Sequence, residues 1–176
     1  MAGLAGAGVI GGGTFYYFQT RDISISKQIA NEGRTILDQH DIFGGWEVKL
    51  STYQREKEKL SIKLDKEDIA TLKSTYETRL ADNFDKENTK LRDDLRKICA
   101  RPTNKERFLK ENKNLAGEGY WDQKVSNYAS ENIHTIPGIS KTEVNKDKIK
   151  NWCGQEVNKE YQNEDEYATA LKWCAK

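Results

Sequence analysis

The feature that most constrains this chain is that it contains much of itself twice. The segment Trp46-Glu47-Val48-Lys49-Leu50-Ser51-Thr52-Tyr53 returns 75 residues later as Trp121-Asp122-Gln123-Lys124-Val125-Ser126-Asn127-Tyr128. Trp, Lys, Ser and Tyr are identical, and the Glu/Asp and Leu/Val exchanges are conservative. Lys97-Ile98-Cys99-Ala100 returns as Lys172-Trp173-Cys174-Ala175 at the same spacing of 75. Upstream, Asn31-Glu32-Gly33-Arg34-Thr35-Ile36 parallels Lys110-Glu111-Asn112-Lys113-Asn114-Leu115 at a spacing of 79, so four residues are deleted before the second Trp. Three colinear matches point to a tandem duplication, with unit 1 over 24–100, unit 2 over 103–176 and Arg101-Pro102 as the joint. Units this small are close to the lower limit for an independent core. The two copies are therefore expected to pack on each other.

The periodicity inside each unit is helical. Trp46, Leu50 and Tyr53 stand at i, i+4 and i+7, and Trp121, Val125 and Tyr128 repeat that stripe. An indole and a phenol on one face bury a large area while keeping a polar edge for hydrogen bonding, so these six residues are read as core anchors. Gly33 and Asn112 follow short helices at equivalent positions, and Gly and Asn are the residues that best accept a left-handed cap. Ile69, Leu72, Tyr76, Leu80 and Phe84 form a stripe that Leu91, Leu95 and Ile98 continue, and Pro102 stops it. In unit 2 one stripe is Ile149, Trp152, Val157 and Tyr161, and the last is Tyr167, Leu171 and Cys174. Acid-before-base pairs such as Asp82–Lys86 and Asp93–Lys97 suit exposed helix faces. Arg34–Leu37 reads as a short extended segment. The expected fold is mainly α: an apolar anchor helix followed by two similar units of about three helices each.

Residues 1–20 contain no charged side chain, whereas 32% of the whole chain is Asp, Glu, Lys or Arg. Twenty helical residues span about 30 Å, enough to cross a hydrocarbon core. Phe15, Tyr16, Tyr17 and Phe18 lie at the charged end, where an interfacial belt would sit. Gly8 and Gly12 have the spacing of close-packed membrane helices. The leader therefore reads as a membrane anchor, with a cleaved signal peptide or a soluble tail as alternatives. Arg21 and Lys27 after the apolar run favour a body that stays in the cytoplasm. Gly6-Ala7-Gly8-Val9-Ile10-Gly11 matches a dinucleotide fingerprint formally. That chemistry needs a preceding strand and a following helix, and four aromatics follow here instead, so no cofactor is expected.

The body offers little chemistry. A formal net charge of +1 supplies no field for nucleic acid. No Cys-x-x-Cys is present, and His40 and His134 are remote from every Cys, so no metal site is expected. His40 and His134 flank Gly44-Gly45 and Pro137-Gly138 and read as solvated turn residues. Cys153 and Cys174 could be joined by a disulfide in an exported body, leaving Cys99 as a free thiol. Alternatively all three are buried thiols on apolar helix faces.

The small-residue leader Ala2-Gly3-Leu4-Ala5-Gly6-Ala7-Gly8, the Trp-x-x-Lys-x-Ser-x-Tyr block and the terminal Lys-Trp-Cys resemble the large paralogous families of uncharacterised proteins in haemotropic mycoplasmas. The resemblance implies an anchored body outside the cell that presents a variable surface to the host, in conflict with the charge rule above. The expected function is non-enzymatic interaction or antigenic display. The expected partners are a lipid bilayer, through residues 1–20, and a protein of the host. The alternatives are a cytoplasmic-facing adaptor that binds a partner in the groove between its units, and a small thiol-dependent enzyme.

Overall fold

The computed structural model describes residues 23–84 and 89–176. The apolar leader, where an anchor helix is expected and which carries the glycine motif, lies outside the described residues, as does Lys86 of the Asp82–Lys86 pair. No helix among the described residues is long and apolar enough to cross a membrane. Those residues form a mainly helical body without β-strands. Unit 1 is built from α1 (Ile25–Asn31), α2 (Gly45–Glu56), α3 (Ile69–Leu80) and α4 (Thr89–Cys99). Unit 2 follows with α5 (Asn104–Lys110), a 3-10 turn (Glu118–Tyr120), α6 (Trp121–Tyr128), α7 (Lys146–Glu156) and α8 (Glu164–Cys174).

Each unit thus has four helices, not three, and the difference has a definite cause. The stripe through Ile69, Leu80 and Phe84 does not stay on one helix, because α3 ends at Leu80. Beyond it the backbone turns back to the start of α1: Ile25 N–H donates to Asp82 O at 3.0 Å and Phe84 N–H to Ile23 O at 2.8 Å. The unit 2 stripe breaks in the same way. Glu156 ends α7, Asn104 N–H donates to Lys159 O at 3.0 Å, and Tyr161 N–H donates to Pro102 O at 2.8 Å. Phe84 and Tyr161 keep their apolar contacts, but they make them from outside the helix.

Polar side chains start the helices. Ser24, Asp68, Thr103, Asn145 and Asn163 each accept the N–H three residues on, each cap contributing about 1 kcal/mol. Gly33 and Asn112, just past α1 and α5, both take positive φ, at 78° and 57°. Only a residue without a Cβ, or one with a short polar side chain, adopts that conformation cheaply.

The apolar residues gather in two clusters. One contains Ile29, Trp46, Tyr53, Leu72, Tyr76, Leu95, Ile98 and Cys99. The other contains Phe108, Trp121, Tyr128, Ile149, Cys153, Tyr167, Trp173 and Cys174. Trp46, Tyr53, Trp121 and Tyr128 are buried within them, and Leu50 and Val125 pack against them half-exposed. The backbone repeats between clusters. Leu37 N–H donates to Cys99 O at 2.7 Å, as Ala116 N–H does to Cys174 O at 2.8 Å. Arg101 N–H donates to Thr35 O at 2.7 Å, as Lys176 N–H does to Asn114 O at 2.8 Å. These bonds form isolated antiparallel bridges, Ile36 with Ala100 and Leu115 with Ala175. The segment at Arg34–Leu37 is therefore extended, as its sequence suggests. Both tyrosine hydroxyls also accept from a later backbone N–H, Tyr53 from Leu64 at 2.9 Å and Tyr128 from Ile136 at 2.8 Å.

One covalent feature is not repeated. Cys153 on α7 is bonded to Cys174 on α8, with Cα atoms 5.4 Å apart. Counted from the caps Asp68 and Asn145, Tyr76 holds the place of Cys153, while Cys99 holds that of Cys174. Cys99 is thus a buried free thiol facing a tyrosine site. The bond joins residues 21 apart, for which loop closure gives about 3 kcal/mol. C153A/C174A is expected to lose about that much stability in urea denaturation. Alkylation and intact mass without reductant should find one reactive thiol only after unfolding.

Candidate functional site

A large concavity lies between the two units. Glu32, Arg34, Lys49, Arg55, Asp93 and Lys97 line it from unit 1, and Lys105, Glu106 and Leu109 from unit 2, around a volume of about 560 Å³. Its floor is the seam where α2 meets α5. Lys49 projects from α2 and is almost wholly buried, at 1% exposure. Its Nζ donates to Lys97 O at 2.8 Å, near the end of α4, and to Glu106 Oε1 at 2.6 Å, in the first turn of α5. The other oxygen, Oε2, accepts the Thr103 N–H at 2.8 Å and so closes the capping box of α5. One carboxylate therefore both starts a helix and ties the two units together. Burial lowers the Lys49 ammonium below its ordinary lysine value, and Glu106 acts against that shift.

Two further contacts flank this pair. Arg34 Nε donates to Glu160 Oε1 at 2.7 Å, and the Thr35 N–H donates to the same oxygen at 2.9 Å. The Arg107 guanidinium lies over the Tyr161 ring, 3.5 Å from its centroid. It also donates to Phe43 O, and the Phe43 ring is tilted 49° to that of Tyr161, their centroids 6.3 Å apart. The seam thus adds ion pairs and a cation–π contact to the apolar cores on either side.

Several of the remaining charges of the groove are paired. Arg96 pairs with Glu32 at 2.9 Å and Lys97 with Glu56 at 2.6 Å. The expected Asp93–Lys97 pair does not form, because Lys97 reaches across to α2 and Asp93 binds Arg92 at 2.8 Å instead. The Lys97–Glu56 pair recurs in unit 2 as Lys172–Glu131. There the carboxylate also accepts the N–H groups of Ile133 at 2.7 Å and His134 at 2.9 Å. The Lys172 bond, followed by those backbone donors, holds the Glu131 carboxyl down to about 2.

The sequence-derived candidates distribute as follows. The tryptophan and tyrosine anchors lie in the two cores and none lines the groove. His40 is exposed on its turn, whereas His134 is half-buried: its carbonyl accepts the Trp173 indole N–H at 2.6 Å. Cys99 is wholly buried, its thiol donating to Leu95 O at 2.7 Å, and burial pushes its pKa well above the ordinary value. Such a thiol is a poor nucleophile. No group of three or more His, Cys, Asp or Glu among the described residues could hold a metal ion. Sequence reasoning missed Lys49, Glu106, Arg34 and Glu160. The retained Lys at the fourth place of each repeated block was the one available signal. Comparison with known protein families, curated proteins and solved structures finds no match.

Two predictions follow from the ion pairs. E106A leaves a buried ammonium without its carboxylate and is expected to cost about 3 kcal/mol or more, whereas K49M/E106L should recover most of that loss. Urea denaturation of the three proteins provides the check, and a neutral E106A would contradict this account of the seam. Glu131, whose folded value of about 2 lies below the ordinary 4.5, contributes stability that is present above the ordinary value. That stability is lost as pH falls from about 4.5 toward 2. E131Q should flatten this part of the acid-unfolding curve, measured by circular dichroism.

Proposed function

We propose that this chain is a non-enzymatic, membrane-anchored interaction protein whose two-unit body lies outside the cell. The observation that carries the reading is the placement of the groove. Its walls are charged helix faces, several of the charges paired, and the repeated Trp and Tyr anchors and the one free thiol are enclosed in the cores. Surfaces of this kind bind other macromolecules by charge and shape complementarity. The Cys153–Cys174 bond fits an oxidising compartment. The apolar run at residues 1–20 supplies the anchor in this reading, and its resemblance to the mycoplasma surface families favours the same placement.

A second reading keeps the body in the cytoplasm as an adaptor with its ligand in the inter-unit groove, and Arg21 and Lys27 after the apolar run favour it. Impermeant thiol reagents do not separate the two readings, since Cys99 is buried and the other cysteines are bonded. A cysteine at Ile133, which is 83% exposed, provides a usable handle. On intact cells, I133C is expected to react with an impermeant maleimide, and external protease is expected to remove the body. Labelling only after lysis, with full protection from protease, would overturn the outside placement.

A further inference from the structure

Unit 2 carries an open counterpart of the socket by which unit 1 holds unit 2. On α2 the face made by Val48, Lys49 and Thr52 is buried. Glu106 lies against that face, with Oε1 2.6 Å from Lys49 Nζ and 3.5 Å from Thr52 Oγ1. The equivalent face of α6 is Gln123, Lys124 and Asn127. There Gln123 and Asn127 are exposed and Lys124 is half-buried. The inner support of the lysine is retained: Lys124 Nζ donates to Lys172 O at 2.5 Å and to Ala175 O at 2.7 Å. Among the described residues it meets no carboxylate. A hollow of about 220 Å³ opens beside it, lined by Tyr120, Lys124, Asn127, Trp173 and Lys176 among others. Its charged side chains are all lysines; Lys172 is paired with Glu131, and the Lys176 ammonium lies over the Tyr120 ring, 5.6 Å from its centroid.

The contact within the molecule indicates what this face would accept. A partly desolvated ammonium next to a side-chain donor is matched by a carboxylate, and Asn127 offers an amide where unit 1 has the Thr52 hydroxyl. At the unit 1 socket that carboxylate comes from unit 2, as the third residue of α5, held in place by the helix's own capping box. A second copy of this chain does not supply it. The counterpart of α5 is α1, which has Lys27 where α5 has Glu106, so head-to-tail stacking would set Lys27 against Lys124. Gln123 in place of Val48 makes the empty face tolerant of water and leaves the carboxylate as the main source of recognition.

We propose that the α6 face of unit 2 is a docking site for a partner protein presenting the first turn of an acid-headed helix. Such a helix begins Ser/Thr-x-x-Glu, and its glutamate binds Lys124 and Asn127. The inference rests on the interaction reading above, without depending on the side of the membrane, so cell labelling and the following titration fail separately.

The probe is an acetylated peptide of residues 101–113, which contains Thr103 and Glu106. It is titrated into the labelled full chain and followed by amide NMR shifts. The shifts are expected on residues 123–127 and 172–176, with binding about tenfold weaker for the Glu106→Gln peptide. K124M should weaken the Glu106 peptide similarly, and N127A, at an exposed position, should do so in part without altering the rest of the spectrum. Equal binding of the two peptides, or shifts confined to the Lys49 seam, would overturn the proposal. Absence of shifts at millimolar peptide would make the face a solvated end of the molecule and would overturn it as well.

Discussion

The structure depends on what a buried lysine requires. In each unit the lysine of the repeated block reaches into the protein and donates to a carbonyl near the end of the last helix, Lys49 to Lys97 O and Lys124 to Lys172 O. Cations are favoured there by the partial negative charge of a helix C-terminus, and the bond fixes the second helix of each unit against the fourth. A buried ammonium nevertheless needs more than a carbonyl to offset its lost hydration. For Lys49 the missing partner comes from the neighbouring unit, as the Glu106 carboxylate, so the stability of one unit is coupled to the position of the other. For Lys124 the second partner is a carbonyl at the end of its own unit, Ala175 O, and the ammonium stays partly exposed.

The seam differs from the cores in physical character, with consequences for assembly. Each apolar cluster is internal to its unit and is assembled from helices close in sequence. Across the seam the contacts are Lys49–Glu106, Arg34–Glu160 and the Arg107–Tyr161–Phe43 stack. Hydrophobic burial is non-directional, whereas ion pairs and stacked guanidinium groups need defined geometry. The cores therefore supply most of the driving force, and the seam sets the angle at which the units meet. The disulfide adds an asymmetry: unit 2 is closed covalently between α7 and α8, while unit 1 has Tyr76 and Cys99 at the matching places.

A binding role is consistent with this division of labour. The repeated Trp and Tyr residues are buried in the cores, and the groove between the units presents mainly charged side chains, several of them paired. Two exposed apolar residues, Ile42 and Ile133, stand on loops away from the helix packing. A duplicated scaffold with charged faces suits recognition by complementary charge, with the backbone register held by bonds that do not depend on the surface residues.

The helical class, the capping residues and the left-handed turns at Gly33 and Asn112 follow from local rules of period, cap chemistry and backbone sterics, which act over a few residues and so leave a trace in the sequence. The stripe from Ile69 to Phe84 misled because periodicity records which residues face the core, not whether one helix carries them. The chain leaves α3 at Leu80, and beyond it the Phe84 N–H donates to Ile23 O, just ahead of α1. The site was harder still to foresee. Lys49 and Glu106 are 57 residues apart, and nothing local distinguishes this lysine from the many solvated ones in a chain with 29 Lys and Arg. Its role is set by burial and by the carboxylate that burial brings near it, and both arise only when the two units are packed together.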